Sequence, residues 1–203
     1  VGSEMCIRDR SKEVNLMKDD YTTLEDLVRT QYANVFWAHK IQEKQAEIYE
    51  SRHKLFSWIN IISASLTSAG IISIVFVDQF WIKLVSAIVS FVTTTMSALL
   101  ATFDYKNLAK SNKTAATKLV CYRNELLSLL GRIRIKEKTA KELFDEFENL
   151  QSSIHKAYQD APNTTNRAVA KAGKAINESK DGTYSDEEID RLLPDTLKRR
   201  NIK

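Results

Sequence analysis

The sequence predicts an all-α integral membrane protein in which two membrane-crossing helices form a hairpin on long amphipathic and coiled-coil helices. Three observations carry this. Among 203 residues there are five Gly and two Pro, and long stretches are rich in Glu, Lys, Ala and Leu, which favour helix and offer few breaks. The 43% hydrophobic content would suit a soluble chain, but the apolar residues are concentrated in the middle while charges crowd both flanks, a segregation that a soluble bundle has no reason to produce. After the apolar middle, large side chains recur every seven residues, the pattern of helices packed along their length.

The elements follow in order. Residues 1–10, VGSEMCIRDR, match nothing downstream in charge or period and resemble a translated sequencing-adapter fragment, so they are set apart from the fold. Residues 11–54 read as a cytoplasmic N-terminal helix: a capping-box pattern, Thr22-x-x-Glu25, opens an amphipathic run carrying Leu24, Leu27, Val28, Val35, Ile41 and Ile48. That run can pass unbroken into the first apolar segment. No cleavable secretory signal is expected, because the first apolar stretch long enough lies far from the N-terminus.

Residues 55–77 and 84–103 each lack charge and have about the 20 residues that a helix needs to cross a hydrocarbon core. On an insertion scale, the large apolar side chains of the first run contribute about −4 to −7 kcal/mol and those of the second about −3 to −5 kcal/mol. The weaker second span is expected to depend on the first, which favours a tight hairpin. Between them, FVDQFWIK contains the only charges from Lys54 to Asp104, Asp78 and Lys83, and places Phe80 and Trp81 at headgroup depth. Lys40, Lys44, Arg52 and Lys54 precede the spans, and Lys106, Lys110, Lys113 and Lys118 follow them. This bias predicts that both termini are cytoplasmic and the loop external. The soluble alternative, a buried hairpin, would require flanking helices apolar enough to cover it.

Polar residues within the spans are ordered. Ser86, Ser90, Thr93, Thr94, Ser97 and Ala101 project to one side of the second span, opposite Val85, Val89, Val92, Met96, Leu100 and Phe103; Ser57, Asn60, Ala64, Thr67 and Ser68 form a shorter stripe on the first. Two readings stay open: close helix packing through small residues, with hydroxyls satisfied by carbonyls one turn back, and a pore lining in which oligomerised hairpins present Asn60 and the hydroxyls to water.

The cytoplasmic helical region, residues 104–158, repeats Leu119, Leu126 and Ile133 at seven, with Leu108, Ala115, Tyr122 and Leu129 on a neighbouring seam. These positions predict coiled-coil packing, either against the N-terminal helix of the same chain or between subunits. A polar stretch around Lys136 to Lys138 interrupts the helix, and Thr139-x-x-Glu142 caps another whose apolar face is Leu143, Phe147, Leu150 and Ile154. From residue 159 to 203 the composition turns polar, with Pro162 as a stop, which predicts a loosely ordered tail with a short helix from Ser185 to Leu193.

Chemistry-bearing patterns are few. There is no glycine-rich phosphate loop, nucleophile elbow or zinc-ligand spacing, so neither an enzyme nor a cofactor is expected. His39, His53 and His155 read as solvated or interfacial, and Cys121 as a small packed residue on the heptad helix. The mild net charge of +4 suggests no nucleic-acid partner.

The helix ending in HKIQEKQAEIYESRHKLFSWINIISASLTS, the two spans on a short loop and the heptad helix beginning ATFDYKNLAK resemble the SLATT family, the SMODS and SLOG-associating two-transmembrane effector domains of bacteria. The resemblance covers roughly residues 20 to 158. It implies a pore-forming effector of a bacterial conflict or anti-phage system in the inner membrane, acting by oligomerisation and permeabilisation. Implied partners are the lipid bilayer, further copies of the chain, and a nucleotide-second-messenger synthetase, a SLOG sensor or a reverse transcriptase. A non-conducting tether that recruits a cytoplasmic enzyme through its heptad helix is the competing expectation.

Overall fold

A computed structural model describes residues 2–76 and 79–194 and, among these, contains helices and no strand. One helix dominates. α1, Gly2–Phe76, runs 75 residues without a break, about 110 Å at 1.5 Å per residue. It does not begin at Thr22 as the capping-box pattern predicted: residues 11–21 contain neither Gly nor Pro and continue the helix upstream, so Thr22 sits inside it. Residue 11 is likewise no boundary in the helix.

α2, Phe80–Thr102, runs antiparallel to α1 and is followed by α3, Tyr105–Ile135. The turn is shorter than the sequence suggested, because Phe80 to Lys83 already form the first turn of α2; Asp78 and Val77 lie outside the described residues. At the α2–α3 junction Phe103 leaves helical geometry, and the Asp104 carboxylate accepts from the Asn107 N–H at 3.0 Å, capping α3. The junction bends the chain without freeing it from α1. Arg134 with Glu25, Arg123 over Phe36, Tyr105 beside Tyr49, Ser97 with Asn60 and Thr93 with Thr67 are paired in steady antiparallel order.

Away from the α1–α2 arm, the helices form a bundle with a conventional core. Leu24, Val28 and Val35 of α1 bury against Leu119, Leu126, Leu129 and Ile133 of α3 and Leu143, Phe147 and Ile154 of α4, Ala140–Asp160. α4 starts at the expected Thr139–Glu142 capping box, after α3 has stopped with Lys136 in the left-handed region at φ 52. The heptad partner is thus α1 of the same chain. Leu119, Leu126, Leu129 and Ile133 are fully buried inside the subunit, and Tyr122 packs half-buried at its edge. Toward the arm the second seam differs from the one expected. Ala109 and Ala116 are buried beside Asn112, whereas Leu108 is exposed, because α3 presents the neighbouring helical position to α1. Cys121 consequently faces outward and is exposed.

The segment after Asp160 departs most from expectation. Ala161 ends α4, and α5, Asn166–Asn177, lies against α1 with Ala168 and Ala172 buried. Its composition is polar, but alanines every fourth residue supply a narrow face that α1 can accept without large side chains. α6, Asp186–Leu192, begins at a Ser185–Glu188 capping box where the short helix was expected.

Candidate membrane-spanning hairpin

The contrast in burial between bundle and arm defines the site. From Leu55 to Thr102 the fully buried residue among those described is Ser63. Trp58, Ile61, Ile62, Leu66, Ile72, Val85, Ile88 and Phe91 are all more than half exposed, Phe91 at 73%. Apolar side chains of this size recover about 1.5–3 kcal/mol each when removed from water, and nothing among the described residues covers these. By length and composition, the stretch beginning at Phe80 can cross a membrane among the described residues: its most apolar 18 residues average a hydropathy of 1.9 and none is buried.

Aromatic rings bracket the arm. At the tip, Phe80 and Trp81 meet edge-on at 5.9 Å and are more than two-thirds exposed. At the base, Tyr105 lies between Tyr49 at 6.1 Å, Phe56 at 5.7 Å and Phe103 at 5.7 Å. From Trp81 to Phe103 the helix rises about 33 Å, close to the roughly 30 Å thickness of a hydrocarbon core. Amphipathic rings at that separation match the two interfacial belts of a spanning segment. The basal cluster was not apparent in the sequence, because its four rings come from two distant segments.

The two helices meet along a seam of small and polar residues. Asn60, Ser63, Thr67 and Gly70 of α1 face Ser86, Val89, Thr93 and Met96 of α2. Gly70 is required here: a Cβ at this position would approach the Ser86 hydroxyl to 2.5 Å. Ser97 donates to the Asn60 side-chain oxygen at 2.9 Å, and the Thr67 and Thr93 hydroxyls are 3.3 Å apart. Such small-residue contacts let helices approach closely where lipid supplies no hydrophobic drive.

The predicted stripe therefore divides. Asn60, Ser86 and Thr93 take part in helix packing, whereas Ser90, Thr94 and Ser97 are exposed on its flank. At 100° per residue, Ser57, Ala64 and Ser68 leave the α1 seam in the same sense as Ser90 and Thr94 leave the α2 seam. Because the helices are antiparallel, both sets reach one side of the hairpin. The Asn60–Ser97 bond lies toward that side. The opposite flank carries Ile59, Ile62, Leu66, Val85 and Ile88. The hairpin thus has a hydroxyl flank and an aliphatic flank. Thr94 donates to the Ser90 carbonyl at 3.0 Å and Ser68 to that of Ala64 at 3.1 Å, so the hydroxyls are satisfied in a closed packing and retain acceptor capacity.

Below the aromatic base the core turns polar before it becomes leucine-rich. His39, Lys40, Gln42 and Gln45 of α1 and Asn112 of α3 are buried here. Lys40 bridges Glu43 at 2.8 Å and Asp181 at 3.0 Å. Burial acts to lower the Lys40 pKa, but its hydrogen bonds to Glu43 and Asp181 prevail and raise it. Asp181 is held below its ordinary range by its hydrogen bond to Lys40. Glu43, Glu47 and Lys113 line an adjoining cleft of about 280 Å³, with Glu47 paired to Lys44 at 2.7 Å. Burial was not expected for His39. Desolvation lowers its pKa from 6.5, opposed by Glu43 and Asp181 and assisted by Lys40 and Arg123.

A group whose folded pKa is lowered in this way has its neutral form favoured in the fold. Its stabilising contribution is complete above the unfolded value near 6.5 and is lost as pH falls through the folded value. Thermal unfolding should therefore show lower stability at about pH 5.5 than at about pH 7.5, and His39→Gln should flatten that dependence. A slope unchanged by the substitution would assign it to other groups. Among the described residues no cluster of His, Cys, Asp and Glu is arranged to hold a metal ion.

The family model described as SMODS and SLOG-associating 2TM effector domain family 4 matches residues 24–188, well over half of the chain. No curated protein and no solved structure matches it.

Proposed function

Because the chain belongs to the SMODS and SLOG-associating 2TM effector domains, family 4, we propose that it is a pore-forming effector whose α1–α2 hairpin crosses the bacterial inner membrane twice, with both termini in the cytoplasm. The observation that carries this reading is the exposed apolar arm: a pair of helices bracketed by aromatic rings, with one hydroxyl flank and one aliphatic flank. In a ring of copies the aliphatic flanks meet lipid and neighbouring hairpins, and Ser68, Ser90, Thr94 and Ser97 face a lumen, where they offer water hydrogen bonds. Asn60, Ser86 and Thr93 hold each hairpin together.

Orientation rests on Lys40, Lys44, Arg52, Lys54, Lys106, Lys110, Lys113 and Lys118 at the bundle end, against Lys83 at the tip. Activation requires a trigger that binds the open and closed assemblies with different affinity. The bundle is the surface on which a nucleotide-second-messenger synthetase, a SLOG sensor or a reverse transcriptase would act. Induced expression with a membrane-potential dye tests the reading. Triggered cells should depolarise within the time the protein accumulates, and purified chain in dye-loaded liposomes should release the dye when extract of triggered cells is added. Insertion with potential and dye both retained would assign the chain to the non-conducting tether class.

A further inference from the structure

The Pro162–Asp181 segment closes over the polar layer that separates the leucine core from the hairpin. Three of its contacts with α1 are side-chain hydrogen bonds or ion pairs. The Pro162 carbonyl accepts from Gln42 at 3.0 Å, Thr165 donates to Gln45 from its N–H at 2.9 Å and from its hydroxyl at 2.8 Å, and Asp181 meets Lys40 at 3.0 Å. Between these points α5 lays Ala168 and Ala172 on α1, and Gly173 faces the Trp37 ring. Just beyond, Gly182 adopts φ +86 against Phe36, where a Cβ would come within 2.9 Å of the ring. The segment crosses the outside of this layer as a strap.

What it covers is poorly satisfied. Among the described residues the His39 Nδ1, Gln42 Oε1, Gln45 Nε2 and Asn112 Oδ1 atoms are buried without a hydrogen-bond partner, and all four belong to this layer. Each such group forfeits its hydration without a bond in return. The seam around them is built from Ala46, Ala109 and Ala116, so little apolar contact compensates. The layer therefore favours any rearrangement that hydrates or pairs those atoms, and the strap's bonds to Lys40, Gln42 and Gln45 oppose it. α1 continues from this layer through Phe76 without a break, so a turn of α1 at Gln45 is carried to Ser57, Asn60 and Ser68.

We propose that the C-terminal strap is an autoinhibitory catch: docked, it holds α1 in the closed arrangement against α3, and its release lets α1 turn and the hydroxyl flank reorient. This rests on the pore reading above, and names how that same hairpin is regulated. The trigger acts by favouring the undocked strap.

The test uses the full chain in liposomes of phosphatidylethanolamine and phosphatidylglycerol, comparing wild type with Thr165→Ala/Asp181→Ala, which loosens the strap, and Gly173→Ala, which tightens it. A Cβ at Gly173 meets Trp37 at 3.5 Å, an ordinary contact, and replaces a helical glycine. Hydrogen exchange should speed up about tenfold in α5 and in residues 39–46 of the loosened variant, the effect of losing one or two hydrogen bonds, and slow down in the tightened one. Labelling of Ser68→Cys, in a background with Cys6 and Cys121 replaced by serine, by a water-soluble maleimide should follow the same order, as should dye leakage.

Faster exchange in α5 without faster exchange in residues 39–46 and without altered labelling overturns the catch. So does exchange that is unchanged throughout in both variants. If labelling and exchange respond but no variant leaks, the catch stands and the pore reading fails.

Discussion

Replacing Ser90 and Thr94 together by leucine is expected to abolish permeabilisation of dye-loaded liposomes while leaving the protein fully inserted. Both residues are exposed on the hydroxyl flank of α2 and bond only within their own helix among the contacts described, so their loss leaves the α1–α2 seam intact. Leucine favours insertion by about 0.3–0.6 kcal/mol per residue, and a fall in leakage therefore cannot come from failure to enter the bilayer. In a ring of subunits, two leucines per copy would line the lumen with aliphatic surface, which narrows the passage and expels water. A drop of about tenfold or more is expected from such a hydrophobic constriction. Val85→Leu, on the aliphatic flank, is the matched control and should leak as wild type does. Leakage that survives the double substitution removes the lining role from this flank and leaves Ser90 and Thr94 as packing residues.

The alternation of small and large residues along 84–103 is visible in one dimension, and the projection collects Ser86, Ser90, Thr93, Thr94 and Ser97 on one side while setting Val89 and Met96 opposite, although these two share the seam with Ser86 and Thr93. A projection has no partner, however. α1 approaches that side off-centre, so Ser86 and Thr93 are taken into the seam and the others remain outside it. The heptad on α3 behaved similarly. Leu119, Leu126 and Ile133 were legible because large residues at a strict seven-residue interval have one plausible use. Near the arm the seam runs through Ala109, Asn112 and Ala116, which no hydrophobicity pattern separates from solvated neighbours. The helix from Ala140 was legible to its first residue, since a capping box is a local signal that needs no tertiary context. The Thr22-x-x-Glu25 pattern failed for the converse reason, as upstream residues were equally ready to be helical.

The polar layer and its strap were the least legible parts. Segments rich in Asn, Thr, Lys and Gly read as loose because they lack apolar area to offset ordering entropy. α5 overcomes this by docking on a neighbour that is already ordered, through two buried alanines and a few hydrogen bonds to Gln42, Gln45 and Lys40. Burial of His39 belongs to the same class: one helical position fits a solvated and a buried imidazole equally until the facing helix and the strap are in place.

Arginine at Phe91 should keep α2 out of the membrane. Phe91 stands at the middle of α2, 73% exposed and on the side away from α1, so the substitution leaves the seam untouched and probes only what surrounds the arm. If that is hydrocarbon, exchanging phenylalanine for arginine at the centre of a span costs about 3–4 kcal/mol of insertion free energy, on the order of 10²–10³ in the partition between inserted and excluded chain. The weaker second span then fails to insert while the first still anchors the chain, so an alkaline phosphatase fused after Lys203 should become active on the external side, where the wild-type fusion stays inactive. If the arm faced water, the same exchange would remove an exposed aromatic ring at a cost within about 0.5 kcal/mol, and would make the protein more soluble without altering its fold. Leu27→Arg supplies the comparison. Leu27 is also exposed, at 45%, but on the bundle, so that variant should leave the fusion inactive, as in wild type. Activity in both fusions would trace the effect to net charge; activity in Phe91→Arg alone places the middle of α2 in lipid, because depth is the property in which the two sites differ.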